Sequence, residues 1–174
     1  MPSKSKTKGN SWENTVSKHL SSLYGASFMR VPGSGAYIGG KNSVRKEFLH
    51  EGQIRAMKGD IVPPMDWKHF NAECKSYADF PFHQLFTAGE IKILDTWIDQ
   101  TLEVADKGDF NIIMMKFNRK GSYIAFEQKH FKKFKIQKSV DYYSKKNGKW
   151  VFTDYDSFWS ENYETVKDLC LAKV

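Results

Sequence analysis

Asp60 is followed, across the proline turn Pro63-Pro64, by the triplet Glu73-Cys74-Lys75. Hydrolysis of a phosphodiester needs a positioned water, one or two divalent cations to acidify it and absorb charge, and a cationic group beside the developing phosphorane. Mg²⁺ takes oxygen ligands and keeps several waters, so Asp60, Glu73, the backbone carbonyl of Cys74 and a phosphate oxygen make a plausible shell for Mg²⁺ or Mn²⁺. Lys75 then remains to orient the water or stabilise charge.

Strand alternation is what brings these groups together. From Trp67 to Ser76, Phe70, Ala72 and Cys74 share one face, and His69, Asn71, Glu73 and Lys75 share the other. Asp60 opens the preceding strand, which runs to Val62. Two further Glu-x-Lys triplets compete. Glu90-Ile91-Lys92 lies in a helical stretch, where residues two apart do not face each other. Glu127-Gln128-Lys129 follows an apolar strand and has Asp109 upstream, but Asp109 more naturally belongs to the turn Lys107-Gly108-Asp109. The bland alternative for Asp60, Glu73 and Lys75 is a half-exposed strand face carrying an ion pair.

Other elements frame that core. Asn10 is placed to cap a helix with Trp12, Val16, Leu20, Leu23 and Tyr24 at helical spacing, and Gly25 to end it. Glu13 falls on the face of Leu20 and Tyr24 and so points toward the sheet, where a carboxylate needs a partner. A capping-box-like pair with Asn10 is the competing account. Phe28 to Val31 reads as a short strand, followed by a glycine-rich loop to about Lys58. A helix is expected from about Gln84 to Lys107, then a strand buried on both faces from Phe110 to Phe117, with Tyr123 to Phe126 beside it. A hairpin turning at Asn147-Gly148 and a last helix carrying Phe158, Trp159, Tyr163, Val166 and Cys170 complete the chain.

The order of these residues resembles the PD-(D/E)XK nucleases, in particular the archaeal-type Holliday junction resolvases, over about Gly9 to Phe117. Glu13, Arg30, Ser34-Gly35, Asp60 and Glu73-Cys74-Lys75 match the order of that branch. The resemblance implies that Glu13, Asp60 and Glu73 bind metal, that Lys75 assists the attack, and that Ser34 on a mobile loop contributes to cleavage. It also implies a restriction-endonuclease-like α/β core, a mixed central sheet flanked by helices. The stretch from Ala36 to Lys58 is longer than that core needs, and the basic, aromatic C-terminal third has no counterpart in it.

Composition bounds the rest. A chain of 174 residues with 40% hydrophobic and 15% aromatic residues fits one globular domain, here a core over about 9–127 and an extension over about 128–174. No apolar run nears the roughly 18 residues of a membrane span. The N-terminus lacks a secretory apolar stretch, and Cys74 and Cys170 are expected as reduced thiols, so an intracellular protein is expected. The net charge of +7 favours an anionic partner. DNA contacts are expected from Arg30, from an arm carrying Lys41, Arg45, Lys46, Arg55 and Lys58, and from Lys132, Lys133 and Lys135, which alternate with Phe131 and Phe134. A protected strand edge is the other reading of that last basic stretch. Gly35 to Lys41 imitates a phosphate-binding loop, but Asn42 stands where Ser or Thr is required and Tyr37 and Ile38 crowd it, so no nucleotide cofactor is expected. The five histidines show no metal spacing. The expectation is a metal-dependent endonuclease acting on branched DNA as a homodimer, since a two-fold junction needs two matched cuts. An exonuclease or restriction-type enzyme with the same site, and a noncatalytic DNA-binding module, are the alternatives.

Overall fold

Phe110–Phe117 has a buried side chain at every position except Lys116. A strand apolar on both faces must lie inside a sheet with layers on either side, and that is where it is found. In the computed structural model, which describes residues 4–31, 58–87 and 89–171, two short strands come first, β1 (Met29–Arg30) and β2 (Ile61–Val62), paired antiparallel. The main sheet comprises β3 (Phe70–Tyr77), β4 (Phe110–Phe117), β5 (Gly121–Glu127), β6 (Ser139–Ser144) and β7 (Gly148–Asp154), in the order β3-β4-β5-β7-β6. β3 and β4 run parallel, with Glu73 beside Ile113 and Lys75 beside Met115; the other pairings are antiparallel. The sheet is mixed and flanked by helices, as the sequence predicts.

Each face has its own apolar layer. Phe70, Ala72, Cys74, Ile112 and Met114 pack with Trp12, Val16 and Leu20 of α1 (Lys4–Tyr24) and with Phe158, Trp159 and Val166 of α3 (Tyr155–Cys170). Ile113, Met115, Phe117 and Phe152 pack on the other side with Leu94, Trp97 and Ile98 of α2 (Lys92–Glu103). The α2 segment is the crossover that a parallel β3/β4 pair requires.

Several boundaries differ from the sequence reading, each for a local reason. The expected helix from Gln84 is split into a 3-10 turn, Phe82–Phe86, and α2. Thr87 is extended, and the amide of Ile91 donates to the Tyr142 hydroxyl at 2.9 Å, so α2 starts only after it. At its other end α2 stops before Lys107, because Asp109 Oδ2 takes the Asp106 amide at 2.6 Å and closes a turn in place of further helix. The α1 helix begins at Lys4, which leaves Asn10 inside it; the Asn10 side-chain oxygen accepts from Arg30 instead of capping. The C-terminal third is no appendage. It supplies β6, β7 and α3, and β7 sits between β5 and β6, with Trp150 and Val151 fully buried. Ser34, Lys41, Arg45, Lys46 and Arg55 lie outside the described residues. Among the described residues no helix is long and apolar enough to cross a membrane.

Candidate active site

β3 is an edge strand of the main sheet, and its outer side is where Asp60 docks. The Asp60 amide donates to the Ala72 carbonyl at 2.8 Å, and Asp60 Oδ2 accepts from the Cys74 amide at 2.7 Å. Backbone polar groups of alternate strand residues point to the same side, so the Cys74 carbonyl also faces this edge. The approach is tight. Gly59 has φ +65°, and a Cβ there would lie 2.5 Å from the Ala72 oxygen, which leaves room only for glycine. The Asp60 carbonyl accepts from the Val31 amide at 2.9 Å, joining the β1/β2 ribbon to the same edge. Asp60 itself is buried.

Glu73 and Lys75 project from β3 on the α2 side. Lys75 Nζ donates to Glu73 Oε1 at 2.6 Å and to Gln100 Oε1 of α2 at 2.7 Å. Burial pushes the Glu73 carboxyl up to about 7, and the negative charges of Asp60 and Glu13 add to this while Lys75 opposes it. Glu13 reaches the edge from α1. That helix is fixed across the sheet by Trp12, whose Nε1 donates to the Met114 carbonyl at 2.9 Å. Arg30 Nε donates to Glu13 Oε2, and Arg30 Nη2 to Asn10 Oδ1 at 2.7 Å. Burial raises the Glu13 carboxyl as well, against the lowering effect of the Arg30 hydrogen bond and with a raising effect of Asp60.

Three carboxylates from α1, the segment before β2, and β3 therefore sense one another around a single strand edge. Among the described residues no group of three His, Cys, Asp or Glu side chains is close enough to hold a metal ion. Arg30 and Lys75 hold oxygens of Glu13 and Glu73, and so bring two cations among the acids. The donor set available at the edge, carboxylates and the Cys74 carbonyl, is all oxygen and suits a hard divalent ion. The rise of Glu73 and Glu13, caused first by burial and then by neighbouring acids, marks carboxylates whose charged form a bound cation would favour.

The other expected residues are placed as follows. Lys58, expected on DNA, is buried instead, its Nζ paired with Asp109 and, at 2.9 Å, with Asp106. The buried Asp109 carboxylate claims its ammonium. Asp109 belongs to its turn, and Glu127 is taken by Asn111 at 2.8 Å and Lys129 at 2.8 Å, so the competing pair is occupied structurally. Arg30 faces Glu13. Lys132, Lys133 and Lys135 are exposed on and just after the 3-10 segment Gln128–Lys133, with Phe134 in the core beneath them. Two partners were not foreseen. Gln100 bonds Lys75, and its only sequence signal is its place one turn after the buried Trp97. The Lys58 pairing had none.

A protein-family model described as "Phage putative PDDEXK endonuclease" matches residues 4–168 of the chain. No curated protein and no solved structure matches it.

Proposed function

The chain belongs to the phage PDDEXK endonuclease family, and on that premise we propose that it is a metal-dependent DNA endonuclease whose active site is the β3 edge. The observation that carries this is Asp60 docked on the Cys74 amide beside Glu73, a carboxyl driven up to about 7 by burial and by neighbouring acids. Asp60, Glu73, Glu13 and the Cys74 carbonyl would hold Mg²⁺ or Mn²⁺. Such an ion, when bound, lowers the pKa of its water and offsets charge on the phosphorane.

The protein groups have distinct parts in this reading. Asp60 is held by the backbone of β3 and enters the reaction already oriented. Lys75 has three N–H donors, of which Glu73 and Gln100 engage two. The third is left for the attacking water or a non-bridging phosphate oxygen, where an ammonium stabilises developing charge. Arg30, one hydrogen bond from Glu13, keeps that carboxylate at the edge. Ser34, outside the described residues, remains the candidate for a further contribution to cleavage.

The finer reading is cleavage of branched DNA, four-way junctions first, by a homodimer. Its support is the order Glu13, Arg30, Ser34, Asp60, Glu73, Lys75, together with basic residues that are scattered and suit backbone and shape contacts. Purified protein, offered synthetic junctions, flaps, linear duplex and single strands with Mg²⁺ or Mn²⁺, is expected to nick junctions best. Glu73→Gln and Lys75→Ala are each expected to abolish cleavage while retaining the fold and most DNA affinity. Wild-type rates in either variant would remove this site from consideration, and equal cleavage of linear duplex would remove the junction reading alone.

A further inference from the structure

Lys58 is a buried ammonium, although the sequence, rich in basic residues before it, reads as a surface arm. Its side chain is 5% exposed, and its partner Asp109 is not exposed at all. Burying two charges carries a large desolvation penalty, and well-packed apolar residues often stabilise a fold equally well. What an ion pair adds is direction.

The geometry around it is directional. Asp109 Oδ2 accepts the Asp106 amide at 2.6 Å, so the turn between α2 and β4 fixes the carboxylate that meets Lys58. The other oxygen of Asp109 lies 3.7 Å from Nδ1 of His69, whose carbonyl accepts from the Phe110 amide at 2.7 Å where β3 and β4 begin. Lys58 is thereby tied to the start of the parallel pair that carries Glu73. Next comes Gly59, pressed against Ala72 and without a side chain of its own to anchor. The following residue is Asp60.

We propose that Lys58 is the positioning residue for Asp60: its buried ion pair with Asp109 fixes the chain ahead of Gly59, so that the Asp60 carboxylate meets the β3 edge in the pose that binds the divalent ion. This rests on the active-site reading above. Lys58 touches no reacting atom; it acts through Asp60.

The test uses the full chain without DNA, titrated calorimetrically with Mn²⁺, with thermal melts alongside. Wild type and Lys58→Arg are expected to bind alike. Lys58→Met is expected to bind about tenfold more weakly, the lower end of what loss of an outer-shell partner does to metal affinity. Because Lys58→Met strands the buried Asp109 carboxylate, Lys58→Met/Asp109→Asn is made as well; it removes both charges and is expected to melt near wild type yet keep the roughly tenfold loss. In an Asp60→Asn background Lys58→Met is expected to add nothing, since both changes act on one carboxylate. A folded double variant that binds Mn²⁺ as tightly as wild type overturns the proposal and leaves the active-site reading standing. Wild-type protein whose Mn²⁺ binding is absent, or indifferent to Asp60→Asn, overturns both.

Discussion

Glu73 is a carboxyl that its surroundings make reluctant to ionise. Burial is the main cause, Asp60 and Glu13 add to it, and Lys75 only partly compensates. Its folded pKa of about 7 stands above the ordinary 4.5. Between those values the native protein holds a proton that the unfolded chain has released. The stability linked to Glu73 is therefore present below the ordinary value and is lost as pH rises through about 7. Glu73→Gln, which cannot ionise, should then melt higher than wild type near pH 8 in EDTA, by on the order of 2 kcal/mol, and level with it at about pH 4. Melts across that range check this; a variant less stable than wild type at the alkaline end would show that the charged carboxylate is well accommodated. In the proposed reading the residue assigned to the chemistry is also the one whose charge the fold disfavours, as is common for functional carboxylates.

At the scale of elements, the site depends on what lies against the outer side of β3. An open strand edge presents unpaired amides and carbonyls. Here the Ala72 carbonyl accepts from the Asp60 amide and the Cys74 amide donates to the Asp60 carboxylate. Gly59 makes that approach feasible. Gly59→Ala is expected to lose at least about 1 kcal/mol from the left-handed conformation alone, and more from the contact with the Ala72 oxygen. Cleavage should fall with it, because relief of the clash moves Asp60. A thermal melt and a nicking assay on the same preparation measure both. Helix α1 contributes through Trp12, whose hydrogen bond to Met114 crosses β3 to reach β4 and brings Glu13 to the edge. Lys116 stands over the same indole ring at 5.4 Å, the one exposed side chain of β4.

For the whole molecule, charge and topology make separate predictions. The net charge of +7 implies DNA binding that weakens steeply with salt. Replacing exposed Lys132, Lys133 and Lys135 together by Gln should reduce the slope of log K against log salt by up to about 3, if each meets a phosphate. Fluorescence anisotropy on a junction and a duplex reads this directly, and an unchanged slope would place the DNA elsewhere. Topology predicts that the C-terminal third cannot be removed. Truncation before β6 would strip β5 of its neighbour and uncover Phe126 and Ile124, so insoluble protein is expected, seen as loss from the soluble fraction.

The sequence by itself determined the local pattern of this protein. The unbroken apolar run of β4, the alternation of β3 and the helical stripe of α1 are periodic signals that neighbouring residues carry, and they suffice to put Glu73 and Lys75 on one face. The order Glu13, Asp60, Glu73, Lys75 is legible instead through a resemblance to the PD-(D/E)XK nucleases, which periodicity alone does not supply. Tertiary structure alone decided the partners. Arg30 for Glu13, Gln100 for Lys75 and Asp109 for Lys58 come from elements far apart in the chain, and their meeting depends on which helix face passes which strand edge. Lys58 shows the physical reason most clearly: among basic neighbours it reads as a surface charge, and only a carboxylate buried at the head of β4 makes it part of the core.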